Sequence, residues 1–225
     1  MNIVIIANAP ALDITPYRAA IDAADIVIAA DGGALPLRDA ERLPDLVIGD
    51  MDSLDPTTLA ALAERGVEVR RYAREKDETD LELALLHAAA LGATTIDVLG
   101  ALGGRWDHTL ANVALLALPE LQGRQTRLLA DRQILFLVRD SAALDGQPGD
   151  TISLIPLAGA AYGVTTEGLR YPLHDATLGF ERGRGVSNVL LEPPGRVSLR
   201  AGLLVVVQHD DGGAYQFYHN KQNTP

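Results

Sequence analysis

Residues 45–92 read DLVIGDMDSLDPTTLAALAERGVEVRRYAREKDETDLELALLHAAALG, and two periodicities alternate within them. An apolar run at 45–48 leads into an acidic turn, Gly49-Asp50-Met51-Asp52-Ser53. Asp55-Pro56 then supplies a side-chain acceptor followed by a proline suited to the first helical turn, which opens a helix over 59–65 that Gly66 closes. A second β-like run at 67–72 leads into a second charged turn, Lys76-Asp77-Glu78-Thr79-Asp80. Thr79 and Glu82 have the spacing of a capping box and start a helix ending at Gly92. The unit of strand, polar turn and helix thus occurs twice in succession, which predicts parallel strands joined by helical crossovers.

Working outward, 3–7 and 25–30 are further apolar runs, with Thr15-Pro16 marking a helix start between them. Downstream, 96–99 is a strand, 105–118 returns to helical spacing and 126–130 is another strand. Runs that are apolar on both faces belong in a covered parallel sheet. The character changes near Asp140. Short β-like runs at 151–156, 160–165, 188–191, 196–200, 203–208 and 215–218 are separated by Gly, Pro and Asp, with no strong helix among them. The expectation is an α/β N-terminal domain over 1–139, with a mainly parallel, helix-covered sheet. An all-β domain, a sandwich or a barrel-like fold, follows over 140–225. The last residues, 219–225, are expected to fray.

Composition narrows the function. The 225 residues carry 30 acidic and 19 Lys plus Arg side chains, a net charge of −11, and no cysteine. Disulfides, thiolate metal sites and a cysteine nucleophile are therefore excluded. An acidic chain with 4% aromatic residues has neither the basic face nor the stacking surface that nucleic acid binding needs. No apolar run approaches the roughly 18 residues of a membrane span, and the N-terminus lacks a basic leader, so a soluble, cytoplasmic protein is expected. An anionic small substrate would need metal ions as intermediaries.

In a parallel sheet, ligands bind beyond the carboxyl ends of the strands. The polar clusters all follow predicted strands: Asp31-Gly32-Gly33, Asp50-Met51-Asp52, Lys76 to Asp80, and Gly100-Ala101-Leu102-Gly103-Gly104-Arg105-Trp106-Asp107-His108. Asp50 and Asp52 alternate along an extended backbone and so point the same way, which suits a hard cation shared with phosphate oxygens. Asp77 and Asp80 stand three apart at a helix start. Each pair also has a structural explanation, as a turn, a cap or a dipole partner. What those explanations leave over is the accumulation of carboxylates, which repel one another without cations. The glycines after 99 let amides approach phosphate, and Arg105 before a helix can grip it bidentately. The spacing is not that of a Walker A loop. His108 is a phosphate donor, an acid/base group or a structural hydrogen bonder. Gly183 to Asn188 and Thr166 to Tyr171 read as polar, glycine-containing loops of the β half.

Taken in order, DGGA (31–34), GDMDS (49–53), KDETD (76–80) and GALGGRWDHTLAN (100–112) resemble the thiamin pyrophosphokinase family, and TEGLRYPL (166–173) and SN (187–188) continue the likeness. The resemblance implies an ATP- and Mg²⁺-binding α/β domain, a C-terminal β domain, and a homodimer that holds thiamin between subunits. The implied reaction is thiamin plus ATP giving thiamin diphosphate plus AMP. By position it assigns Asp50, Asp52 and Asp77 to the metal, with Asp52, Asp77, Asp80 and Arg105 as the catalytic set. Asp31, Gly32, Gly103, Gly104, Arg105, Asp107 and His108 fall on the ATP side, and Ser187 and Asn188 on the thiamin side. Two features depart from the pattern. Asn8-Ala9-Pro10 stands where the family commonly has Asn-Gly, and no Trp lies beyond Trp106, leaving Tyr171 and Phe180 as the aromatics available to the thiamin pyrimidine.

Overall fold

The computed structural model describes residues 1–211. The first unit, Met1–Ala130, alternates strand and helix: Asn2–Ile6 (β1), Arg18–Asp22 (α1), Ile26–Ala30 (β2), Ala34–Asp39 (α2), Leu46–Gly49 (β3), Pro56–Glu64 (α3), Glu68–Arg71 (β4), Asp80–Ala90 (α4), Thr95–Leu99 (β5), Trp106–Leu115 (α5) and Gln125–Ala130 (β6). Both capping signals in 45–92 operate. The Asp55 carboxylate accepts the Thr58 N–H at 2.9 Å, and Thr79 Oγ1 accepts the Glu82 N–H at 3.2 Å. Helix α2 was not expected, because it is entered through a 3-10 turn, Asp31–Gly33, with no side-chain cap to mark it. Thr15 likewise begins a 3-10 turn rather than capping α1; its own N–H bonds Asp13 at 2.9 Å.

The strands of this unit pair in the order β6-β5-β1-β2-β3-β4, and every pairing is parallel. The chain starts in the middle, runs out to β4, and returns to add β5 and β6 on the other side of β1. The order therefore reverses between β1 and β5, the switch point beside which such sheets bind ligands. Ile3, Ile5, Ile6, Ile28, Ile48 and Ile96 are fully buried, so these strands are covered on both faces. Helix α4 packs on β1, β2 and β3 and buries Leu81, Ala84, Leu85 and Ala88, the i, i+3, i+4, i+7 stripe of a core-facing helix. Between β5 and β6 the directly opposed Asp97 and Arg127 form a buried bidentate pair, both contacts at 2.6 Å. Strand β4 ends the sheet, and its Glu68, Arg70 and Arg71 are exposed.

The second unit begins at Asp131. The sequence reading set the division at 139/140. The intervening apolar run is a strand, Gln133–Val138 (β7), that pairs antiparallel with a strand near the end of the described chain, and no Gly or Pro cluster announces the change. The others are Ser141–Leu144 (β8), Thr151–Pro156 (β9), Ala161–Glu167 (β10), Ala176–Leu178 (β11), Asn188–Val189 (β12), Gly195–Ser198 (β13) and Leu204–His209 (β14). They form two antiparallel layers, β12-β9-β14-β7 and β11-β10-β13-β8. Val138, Ile152, Leu154 and Val206 of one layer share a core with Leu144, Val164, Leu178 and Val197 of the other, so the unit is a sandwich. The strand expected at 215–218 and the fraying expected at 219–225 lie outside the described residues. Among the described residues, no helix is long and apolar enough to cross a membrane.

Candidate active site

Because β1 to β5 are parallel, the turns that follow them emerge at one edge of the sheet. Two glycines draw these turns together. A Cβ on Gly33 would lie 2.0 Å from the Ile6 carbonyl oxygen, so the turn after β2 sits directly on the end of β1. A Cβ on Gly100 would lie 2.7 Å from the Ala7 carbonyl oxygen, which seats the turn after β5 on the same strand end. Gly32 is buried against Asn8, whose side-chain amide donates to Ser53 Oγ at 2.9 Å and ties the first turn to the third.

Asp31 opens the turn after β2 with a left-handed φ of +47° and is 3% exposed. Its Oδ1 is buried with no hydrogen-bond partner. Burial pushes its carboxyl above the usual range; hydrogen bonds from Ser53 and the Gly32 amide pull the other way, and the charge of Asp80 adds to the rise. After β3, Asp50 and Asp52 flank a buried Met51 held at φ +65°, and the Asp52 N–H donates to Asp50 Oδ1 at 3.0 Å. Carboxylate oxygens of Asp31, Asp50 and Asp52 all lie within 4.8 Å of one another. Three carboxylates this close together, one of them buried, suit a hard divalent cation.

The turn after β4 contributes differently from the sequence expectation. Asp77 is exposed and stands outside the group of three, whose third member is Asp31. Asp80 packs its carboxylate against Gly49, where a Cβ would come within 2.9 Å of its Cγ. Lys76 reaches Asp80 Oδ1 at 3.0 Å and Asp50 Oδ2 at 4.0 Å. Arg74 reaches Asp52 at 3.3 Å from an exposed position. Lys76, Arg74, Asn8 and Ser53 had been assigned no role. The signal for Lys76 is its place four residues before Asp80; Asn8 and Ser53 lie in segments the resemblance marks, but spacing gives no sign that they meet.

Gly103 and Gly104 adopt φ of +89° and +67° in an exposed turn after β5. Arg105 precedes α5 and pairs with Asp107 at 2.5 Å, which holds the Asp107 carboxyl down at about 2. The Asp107 carboxylate also accepts the His108 N–H at 3.0 Å. Arg105, Trp106, Asp107 and His108 are all exposed, and Asn112 is buried, donating to the Ala101 carbonyl at 2.8 Å.

In the sandwich, Ser187 is exposed at φ +59°, with its N–H on Ser153 Oγ at 3.0 Å. Asn188 is buried, and its side chain is committed to backbone. Its Oδ1 accepts the Tyr171 N–H at 3.0 Å and the Val189 N–H at 2.9 Å, and its Nδ2 donates to the Tyr171 carbonyl at 2.7 Å. Asn188 therefore clamps the loop that displays Tyr171, which is 63% exposed, as is Phe180.

Comparison with known proteins gives the family of the chain. The family model described as "Thiamin pyrophosphokinase, catalytic domain" matches residues 17–130, and "Thiamin pyrophosphokinase, vitamin B1 binding domain" matches 141–204. A thiamine pyrophosphokinase of Bacillus subtilis is 29% identical over 205 residues, 88% of this chain and 92% of that one. A crystal structure of a thiamine pyrophosphokinase from Bacillus subtilis superposes with a TM-score of 0.84 at 28% identity, covering 94% of this chain and all of the other. The crystal structure of a thiamin pyrophosphokinase family protein from Enterococcus faecalis gives 0.81 at 26% identity, again over 94% of this chain and all of that one. With both models matched in order and the first spanning half of its length, the chain belongs to the thiamin pyrophosphokinase family.

Proposed function

We propose that this protein transfers the diphosphoryl group of ATP to the hydroxyl of thiamin, giving thiamin diphosphate and AMP, with Mg²⁺ held by Asp31, Asp50 and Asp52. The observation that carries the reading is the cluster of the buried Asp31 with Asp50 and Asp52, at the carboxyl edge of a parallel sheet in a chain of this family. A bound magnesium ion would neutralise charge on the β- and γ-phosphates, which otherwise repels the incoming hydroxyl. The protein's own part is positioning and electrostatics, with the hydroxyl attacking the β-phosphorus in line with the departing AMP. Arg105, exposed before α5, adds positive charge on the phosphate side, and the backbone N–H groups of the glycine turn Gly103-Gly104 donate to phosphate oxygens. Asp107 orients Arg105 through their ion pair, and His108 at the same helix start completes the ATP side. Lys76 engages Asp80, so of the two carboxylates in that turn Asp77 is the one assigned to take the hydroxyl proton.

On the thiamin side, Ser187 offers an exposed hydroxyl, and Asn188 fixes the Tyr171 loop without spending its own groups on ligand. The working form is a homodimer. Incubating the protein with ATP, Mg²⁺ and thiamin, and quantifying products by chromatography, tests the reaction. Equal amounts of AMP and thiamin diphosphate, absent without thiamin, are expected. Phosphate release without thiamin dependence would overturn the assignment.

A further inference from the structure

Asn8, Gly32 and Ser53 stand in the turns after β1, β2 and β3, and the three meet at one point. The Asn8 amide donates to Ser53 Oγ at 2.9 Å, and Ser53 Oγ reaches Asp52 Oδ1 at 3.3 Å. Hydrogen bonds from Ser53 also reach Asp31. Ser53 therefore touches two of the three clustered carboxylates, contributed by the turns after two different strands. The Asn8 amide is set in turn by Gly32. A Cβ there would lie 2.6 Å from Asn8 Cγ and Oδ1 and 2.8 Å from Nδ2, so a bare glycine leaves room for the amide.

The geometry points to Ser53 as a positioning residue that holds Asp52 and Asp31 in place as ligands, and to Asn8 as the group that orients the Ser53 hydroxyl. This rests on the metal reading given above and assigns roles to two residues that reading does not use. A hydroxyl has one proton and two lone pairs, whereas an ionised carboxylate only accepts. By donating to Oγ, the Asn8 amide occupies a lone pair and leaves the Ser53 proton for a carboxylate. Without Asn8 the hydroxyl is free to turn towards water, and the carboxylates lose a fixed donor. Neither residue needs to touch the ion. Hydrogen-bond partners of ligating carboxylates set their orientation, and losing one costs about 10–100-fold in metal affinity. Asn8 and Ser53 are both exposed, so replacing them removes the hydrogen bonds without opening the core.

The test is Mn²⁺ binding to the nucleotide-free protein, followed by electron paramagnetic resonance of the free ion. Ser53→Ala is expected to bind about tenfold more weakly than the wild type. Ser53→Thr keeps the hydroxyl and should restore most of the affinity, whereas Ser53→Cys keeps the volume with a poor donor and should not. Asn8→Ala should weaken binding severalfold, and Gly32→Ala, which displaces the Asn8 amide without altering it, should weaken it to the same degree. Because Asn8 acts through Ser53, the double variant Asn8→Ala/Ser53→Ala should bind no more weakly than Ser53→Ala alone. Wild-type affinity in Ser53→Ala or Ser53→Cys, or losses that add in the double variant, would overturn the inference while weakened binding by Asp52→Asn leaves the metal reading in place. If Asp52→Asn binds Mn²⁺ as the wild type does, the metal reading itself fails, and the roles of Ser53 and Asn8 with it.

Discussion

Asp31→Asn is expected to make the metal-free protein more stable while it loses its divalent ion. The wild-type side chain buries a carboxylate oxygen with no donor, next to the charge of Asp80. A buried group left in that state costs about 1–3 kcal/mol. Asparagine tolerates the left-handed φ of +47° and keeps one oxygen for Ser53 and Gly32; its amide nitrogen takes the place of the unpartnered oxygen, so the gain comes from removing a buried charge, which costs more to leave unpartnered than a neutral group. A gain of about 1–2 kcal/mol corresponds to a rise in Tm on the order of 4 °C for a chain of this size. The pH dependence gives the sign a second check. A carboxyl whose pKa is raised in the native state makes the native form the better proton binder, so wild-type stability falls as pH rises through the window above the ordinary value of 3.8. The variant lacks that decline. The gap between the two proteins therefore opens with rising pH and closes below pH 3.8, where both native and unfolded wild type are protonated. Circular dichroism melts in EDTA across pH 4–8 measure it. A variant that melts at or below the wild-type temperature at pH 7 would refute the reasoning.

Asp52→Asn is expected to abolish thiamin diphosphate formation with the melting temperature within a few degrees of wild type, since its side chain is exposed; loss of the fold would contradict this. Asp97→Ala leaves Arg127 without its bidentate partner on the neighbouring strand and should cost about 3–5 kcal/mol, read by urea titration. Asn188→Ala removes three hydrogen bonds around the Tyr171 loop and should raise the KM for thiamin with little change in that for ATP; an effect confined to ATP would move the loop out of the thiamin site.

The helices around the site were legible because their signals are local. Asp55-Pro56 and Thr79-x-x-Glu82 act within one turn of where they stand, and the parallel sheet follows from strands separated by helices. The long-range partners were not legible. Asp31 joins Asp50 and Asp52 because a left-handed residue turns at the end of one strand and a bare glycine lets that turn settle on another. Spacing along the chain shows only that Asp77 stands near Asp80. The strand Gln133–Val138 is absent from the sequence reading, because its partner Leu204–His209 lies far along the chain and pairing of that kind leaves no local mark. Helix α2 went unread for want of a cap. The resemblance places Asn188 on the thiamin side, and the hydrogen bonds that tie its side chain to the Tyr171 backbone join segments too far apart for spacing to show.

The outer strand of the first sheet bears on how copies of the protein meet. A bare strand edge is a template for another chain, and proteins that leave one open guard it with charge. Glu68, Arg70 and Arg71 cover β4 with both signs, and Arg70 is further held by Glu68 at 2.6 Å and by His87 at 2.9 Å. Growth of the sheet from one copy into the next is disfavoured there, so crowding at high expression should not drive this edge into fibrous association.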